Sequence, residues 1–385
     1  MTPQVLVIGA GPAGIACAYY LQQADIPYLV VDKADIIAST WASLYPSLRL
    51  NTTRFFSHLP KRKFPIHYGI FPTGKQYHSY LVKYAHDFKL NIQLGVTVER
   101  ICPENDGWRV ITNNGSDWYP CVISATGRFN TPIIPHISGM ENFTGKIIHA
   151  HDYLGHEPFI GKRVMVVGNG PSGVDIASEL GRKRLCEAVY LSQRTGVVLR
   201  PRYPYGLPKH AWVIIGEMLP KHIGTRLIKH IESLKFPNLE QFGIRTPQTD
   251  AESSAAGGTR GRDLKKKKKN GWVKCVPAPM RFDGDAVILA DESRLAVDVV
   301  IMGTGYNAVL HEYLRLDDAP RDKAGWLLRE GQDPAIIPTG KRQVLGQIGL
   351  YEVGTFYQGK GAMYNFNTEA KQAVDEILGR LSTLS

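Results

Sequence analysis

The chain has 385 residues, with 46 basic against 35 acidic side chains and a formal charge of +11. Apolar residues make up 43% and charged residues 21%, which excludes a disordered chain, a collagen-like repeat and a small staple-dependent scaffold. At about 150 residues per domain the length predicts two domains. The excess of base raises nucleic acid or a membrane surface as a partner until the charges are located.

Met1-Thr2-Pro3 has no basic n-region, so no cleaved leader is expected. Val5-Leu6-Val7-Ile8 is an apolar, β-branched run, the pattern of a strand buried on both faces. It enters Gly9-Ala10-Gly11-Pro12-Ala13-Gly14, and a helix follows through Leu21. Tyr28 to Val31 is a second strand, ending at Asp32-Lys33. This is a βαβ unit with GxGxxG at its first turn and an acid 18 residues beyond the last glycine. Gly9 makes the tight turn, Gly11 lets the backbone approach a pyrophosphate, and Gly14 lets the helix pack on the strand. Pro12 and Ala13 open the helix, whose free N–H groups face the phosphates. Asp32 accepts from a ribose hydroxyl, which suits a nucleotide without a 2′-phosphate, such as FAD.

Residues 92–124 read as a β-meander with an Asn114-Gly115 turn. Cys121 to Ser124 is a strand ending in Ala125-Thr126-Gly127. The cradle grammar then recurs. Arg163 to Val167 leads into Gly168-Asn169-Gly170-Pro171-Ser172-Gly173, a helix to Leu180 and a strand Ala188 to Leu191. This strand ends in Ser192-Gln193-Arg194 instead of an acid. An acid would repel a 2′-phosphate, whereas Ser192 and Arg194 would bind it, so the second cradle suits NADP(H). A solvated surface charge is the plainer reading of Arg194. Two dinucleotide cradles imply electron transfer between two bound cofactors.

Pro201 to Ile244, with Tyr203, Tyr205, Trp212 and Phe242, is expected to face substrate or to pack as core. Ser253 to Gly258 reads as a flexible linker. Thr259 to Lys274 holds eight bases and one acid, and so accounts for +7 of the +11. A run such as Lys265 to Lys269 is expected to be a solvated loop, which removes most of the case for nucleic acid. Val297 to Met302 is a strand ending in Gly303-Thr304-Gly305-Tyr306. Small residue, Thr and Gly at a strand end mark a backbone passing close to a nucleotide or crossing between domains. Ala370 to Leu381 has helical spacing, with Asn367 or Thr368 as cap and Glu369 in the first turn. Its N-terminus points at a flavin or docks on the core.

Five scattered cysteines without a CxxC pair or zinc spacing fit reduced thiols, and no metal site is expected. Ala211 to Leu219 is too short for a span of about 20 residues. These features predict a cytoplasmic soluble protein. The fold class expected is α/β, with two three-layer Rossmann-like domains. Residues 1–155 and 299–385 form a discontinuous FAD-binding domain. Residues 156–298 form an inserted NADP-binding domain, with a flexible basic loop near 251–271.

Between the cradles lies Phe143-Thr144-Gly145-Lys146-Ile147-Ile148-His149-Ala150-His151-Asp152-Tyr153. It resembles the FxGxxxHxxxY sequence of the flavin-containing monooxygenases at Phe143, Gly145, His149 and Tyr153. Trp41 and Leu50-Asn51-Thr52 resemble the family stretch along the flavin, and Gly303 to Tyr306 is similar to its ATGY element. Baeyer–Villiger monooxygenases have Trp-Pro where this chain has Tyr153-Leu154. Family glycines before the Trp are replaced by Ala38-Ser39.

The resemblance implies FAD, NADPH, dioxygen and a small-molecule substrate. A flavin C4a-hydroperoxide would oxygenate a soft nitrogen or sulfur nucleophile while NADP⁺ stays bound. Carbonyl compounds are a less favoured substrate set. Asn51 is the polar group expected nearest C4a, or else a turn-former. His149 and Tyr153 are expected to be structural. An NADPH-dependent reductase without oxygen transfer and a regulatory flavin-binding protein are the alternatives. A homodimer is left open.

Overall fold

The computed structural model describes residues 2–129, 131–182, 185–247, 271–307, 320–321, 327–331, 340–355 and 361–384. The lysine run and the basic loop around it lie outside these residues. In chain order the main elements are β1 (Val5–Ile8), α1 (Pro12–Gln23), β2 (Tyr28–Asp32), α2 (Gly74–Asp87), β3 (Ile92–Leu94), β4 (Val98–Glu104), β5 (Gly107–Thr112), β6 (Gly115–Tyr119) and β7 (Cys121–Ser124). Then come β8 (Lys146–His149), β9 (Arg163–Val167), α3 (Pro171–Leu180), β10 (Ala188–Ser192), α4 (Lys209–Glu217) and α5 (Lys221–Ser233). The last are β11 (Lys274–Val276), β12 (Pro279–Asp283), β13 (Ala286–Leu289), β14 (Arg294–Ala296), β15 (Val299–Met302), β16 (Leu350–Glu352) and α6 (Ala362–Leu384).

The chain forms two compact units. One is Met1–Ser43, Thr52–Thr131 and Tyr306–Ser385; the other is Leu44–Asn51 and Pro132–Gly305. The first holds a parallel sheet in the order β16-β7-β1-β2-β3. Successive side chains point to opposite faces, so each buried strand packs against a layer on either side. Leu6 and Ile8 pack with Ile101, Trp108 and Val110 of the antiparallel β4-β5-β6 meander. The opposite face is covered by α1, which also packs along α6. In the meander the pairing Thr112↔Gly115 puts Asn113 and Asn114 in the two-residue turn.

The second unit repeats this plan with the sheet β11-β10-β9-β15-β8, again all parallel. Val164, Val166, Val299 and Ile301 face Ile176, Ala177 and Leu180 of α3. Met165, Val167, Val300 and Met302 face Phe282, Val287 and Leu289 of the antiparallel β12-β13-β14 hairpin pair. Each unit is therefore three layers, as the α/β reading expects. The boundaries differ from those expected at 155 and 299. The strand β15 pairs with β9 and β8 pairs with β15, so backbone hydrogen bonding draws both into the second sheet.

The terminal helix also departs from expectation. It begins at Ala362, so Asn367 and Thr368 lie inside it and cap nothing. Met363 and Phe366 extend the apolar face upstream of Ala370. Glu369 is buried and sits 3.4 Å from the Arg342 guanidinium.

Candidate functional site

In the first unit the strand order reverses between β1 and β7, so a crevice opens at their carboxyl ends. The three motif glycines there have different physical reasons. Gly9 has φ +109, and a Cβ on it would stand 2.7 Å from the Ala125 carbonyl oxygen. A Cβ on Gly14 would stand 1.8 Å from the Gly9 oxygen. The fold itself forbids side chains at both. Gly11 has ordinary angles, φ −80 and ψ −174, and a Cβ on it would meet nothing within 4 Å. Nothing in the described fold demands a glycine here, and the turn is left open to a group lying against it. Gly11 thus fits a pyrophosphate at the helix N-terminus.

Asp32 holds this turn from beneath. Its Oδ2 accepts from the Ala10 N–H at 2.7 Å and its Oδ1 from the Ala34 N–H at 2.9 Å. Each oxygen keeps a lone pair for a ribose hydroxyl. Ala38 donates its N–H to the Ala10 oxygen at 3.1 Å, and has φ +54. It occupies a left-handed position where the family glycine costs less. Lys33 is exposed beyond Asp32. Trp41 is half-buried, edge-on to Tyr77 at 4.5 Å. Thr126 and Gly127 follow β7, with Gly127 at φ +74. The Thr52 and Ser57 hydroxyls are 2.6 Å apart. Glu369 accepts from the Gly354 N–H at 2.7 Å, and a Cβ on Gly354 would stand 2.8 Å from that of Ala13.

The second unit reproduces the cradle between β9 and β15, where its strand order reverses. Gly168 has φ +105, and its Cβ would stand 2.4 Å from the Gly303 oxygen. A Cβ on Gly173 would stand 1.9 Å from the Gly168 oxygen. Gly170 again has ordinary angles, φ −69 and ψ 179, with nothing within 4 Å. Pro171 is exposed and Ser172 half-buried in the first turn of α3. Asn169 donates to the Thr195 oxygen at 2.7 Å.

The late Gly303-Thr304-Gly305 segment belongs to this cradle, not to a return into the first. The Thr304 hydroxyl donates to the Ile133 oxygen, and the Ile133 N–H donates to the Gly305 oxygen at 3.0 Å. Ser192 also departs from expectation. The strand β10 runs through it, so the side chain is buried and its hydroxyl donates to the Pro277 oxygen at 3.0 Å. Arg194, two residues on, is exposed.

The residues of the FxGxxxHxxxY string are framework of this unit. A Cβ on Gly145 would collide with the Asp298 oxygen at 2.6 Å and with the Phe143 ring, which meets Phe282 edge-on at 5.0 Å. Tyr153 is buried between Tyr45 and Phe159, at 5.7 and 5.4 Å. His149 is 1% exposed. Its Nδ1 accepts from the His151 N–H at 3.0 Å, so Nε2 carries the proton and donates to the Gly305 oxygen at 3.1 Å. Burial pushes its pKa below the ordinary imidazole value of 6.5. Leu50 is buried, while Asn51 is exposed and accepts from Arg202 at 3.4 Å. Both group with the second unit, whereas Thr52 groups with the first. The sequence reading missed Asn169 and Asp32's two backbone bonds. Neither has a sequence signal beyond lying in or beside the motif.

Two parallel sheets with a pyrophosphate cradle at each switch point define a dinucleotide-dependent oxidoreductase. Comparison with known proteins narrows this. Residues 6–201 match the family of pyridine nucleotide-disulphide oxidoreductases. The chain is 31% identical over 362 residues to a probable indole-3-pyruvate monooxygenase of Arabidopsis thaliana, covering 91% of this chain and 83% of that one. It superposes on a flavin-containing monooxygenase from Stenotrophomonas maltophilia with TM-score 0.71 at 21% identity, covering 98% of each chain. A structure described as OTEMO in complex with FAD and NADP matches with TM-score 0.67 at 17% identity, over 100% of this chain and 86% of that one. The chain belongs to the pyridine nucleotide-disulphide oxidoreductase family, in its class B flavoprotein monooxygenase branch. It is an enzyme of that flavin-dependent monooxygenase class. The sequence holds no CxxC pair. Among the described residues no helix is long and apolar enough to cross a membrane.

Proposed function

We propose that the first cradle binds FAD and the second NADP(H), and that the enzyme transfers one atom of dioxygen to a small organic substrate. The observation that carries this reading is the repeated cradle, in which Gly11 and Gly170 leave open space above the turn at ordinary backbone angles. When bound, the flavin supplies hydride acceptance from NADPH and the activation of oxygen. The residues of the chain bind, orient and shield.

At the first cradle Gly9 to Gly14 take the pyrophosphate on the N-terminus of α1. Asp32 and Lys33 face the adenosine ribose. Trp41, Thr52, Thr126 and Gly127 line the rest of the cofactor. At the second, Gly168, Gly170, Pro171, Ser172, Gly173, Thr304 and Gly305 hold the pyrophosphate of NADP(H). Arg194 carries the preference for a 2′-phosphate. Asn51, its amide oxygen held by Arg202, offers a hydrogen bond at the reacting edge. The reaction balances as substrate, dioxygen, NADPH and a proton giving oxygenated substrate, water and NADP⁺.

Two substrate classes are consistent with this arrangement. A soft nitrogen or sulfur nucleophile follows from the family resemblance. A 2-oxo acid is favoured by the indole-3-pyruvate monooxygenases among the relatives and by the Arg202 charge beside Asn51. Purified enzyme supplied with NADPH, ¹⁸O₂ and a panel of amines, thioethers and aryl 2-oxo acids tests both. One labelled atom in one product class, matched to NADPH used, is expected. NADPH consumption with all oxygen released as peroxide across the panel contradicts oxygenation and indicates a reductase or oxidase.

A further inference from the structure

Arg245 lies 51 residues beyond Arg194 in sequence, yet the fold brings the two together. The Arg245 Nη1 donates to the Arg194 carbonyl oxygen at 3.1 Å. Its own backbone is fixed on both sides. The Arg245 N–H donates to the buried Gln193 Oε1 at 2.9 Å, and the Arg245 oxygen accepts from the Val197 N–H at 2.9 Å. Gly196 makes the close approach possible, because a Cβ there would stand 2.0 Å from the Pro247 nitrogen and 2.1 Å from the Thr246 carbonyl carbon. Residues 244–247 are thus a strap laid across the loop that follows β10. Asn169 ties the same loop, through Thr195, to the glycine turn.

We infer that Arg245 supplies a second guanidinium, with Arg194, for the 2′-phosphate of the dinucleotide in the second cradle. This rests on the assignment of that cradle to NADP(H). Both side chains are exposed, and among the described residues neither forms an ion pair. A guanidinium has five N–H donors, and one of Arg245's is used by the Arg194 carbonyl. The rest remain for a phosphate, whose charge near −2 and three outer oxygens match two guanidinium forks. The strap holds Arg245 at the strand end where the adenosine ribose of a doubly wound fold lies.

The experiment compares adenosine 2′,5′-bisphosphate with 5′-AMP, by calorimetry, on the full-length flavin-loaded protein and on Arg245→Ala, Arg245→Lys and Arg194→Ala. Wild type should prefer the bisphosphate. Arg245→Ala should lose about tenfold or more of that preference while AMP affinity stays within about twofold, the scale of a charge-assisted hydrogen bond. Arg245→Lys should recover part of the preference. If Arg245→Ala discriminates as wild type does, or weakens both ligands equally, Arg245 is only a tie for the strap and the inference fails while the NADP(H) assignment stands. If wild type itself shows no preference, that assignment fails and this inference falls with it.

Discussion

Gly11 and Gly14 stand three residues apart in one turn, yet substitution of each should fail differently. An Ala at Gly14 would drive its Cβ to 1.8 Å from the Gly9 oxygen, and only a shift of α1 away from β1 relieves it. Such overpacking costs typically about 1–3 kcal/mol, and more where backbone must move. At Gly11 the added methyl meets no protein atom and the backbone angles suit any residue. Gly11→Ala should therefore keep the melting temperature of the flavin-free protein within a few degrees and lose flavin affinity by tenfold or more. Gly14→Ala should lower the melting temperature of that apoprotein sharply. Flavin titration and thermal melts of both variants check this. Equal flavin affinity in Gly11→Ala and wild type would show that nothing lies against that turn. At this scale the sequence was readable where a motif specifies a backbone shape. It was misleading at Ser192, whose exposure depended on where β10 stopped, a matter of one residue.

Element pairing was less legible than element identity. The strands β1, β2, β9 and β10 are short Val/Ile-rich runs bounded by turn residues, and their positions follow from local pattern. Membership of β8 and β15 does not, since a run such as Val299–Met302 fits either parallel sheet equally well. Long-range backbone pairing decides it. His149 at the end of β8 makes that choice visible, because it joins the backbone after β15 through Gly305. The imidazole must be neutral to accept from His151 and donate to Gly305 at once. With its folded pKa lowered by burial, the unfolded chain binds more protons below the ordinary value of 6.5. The stability His149 contributes is full above that value and falls away as pH drops below it. Urea unfolding of wild type and His149→Gln between about pH 7.5 and 5.5 measures this. The gap between the two proteins should narrow on acidification. A gap that stays constant would contradict the neutral, doubly bonded imidazole.

For the whole molecule, the +11 charge first suggested a polyanionic partner, and most of it was then traced by sequence to one segment, residues 259–274. The described structure is organised by duplication of plan: two three-layer units, each with an open glycine turn at its switch point. The sequence displayed both cradles because each is contiguous. No substrate surface was legible, since the aromatics of residues 201–244 have no periodic pattern. On the proposed function, the second cradle delivers the electrons that the first receives. Anaerobic mixing of NADPH with flavin-loaded wild type and Gly170→Ala, followed by the visible flavin absorbance, tests it most directly. Both proteins should carry equal flavin and lose its absorbance on adding dithionite. With NADPH, wild type should bleach fully, while Gly170→Ala should bleach at least tenfold more slowly at subsaturating NADPH. Bleaching of Gly170→Ala at the wild-type rate would contradict the assignment of NADP(H) to the second cradle.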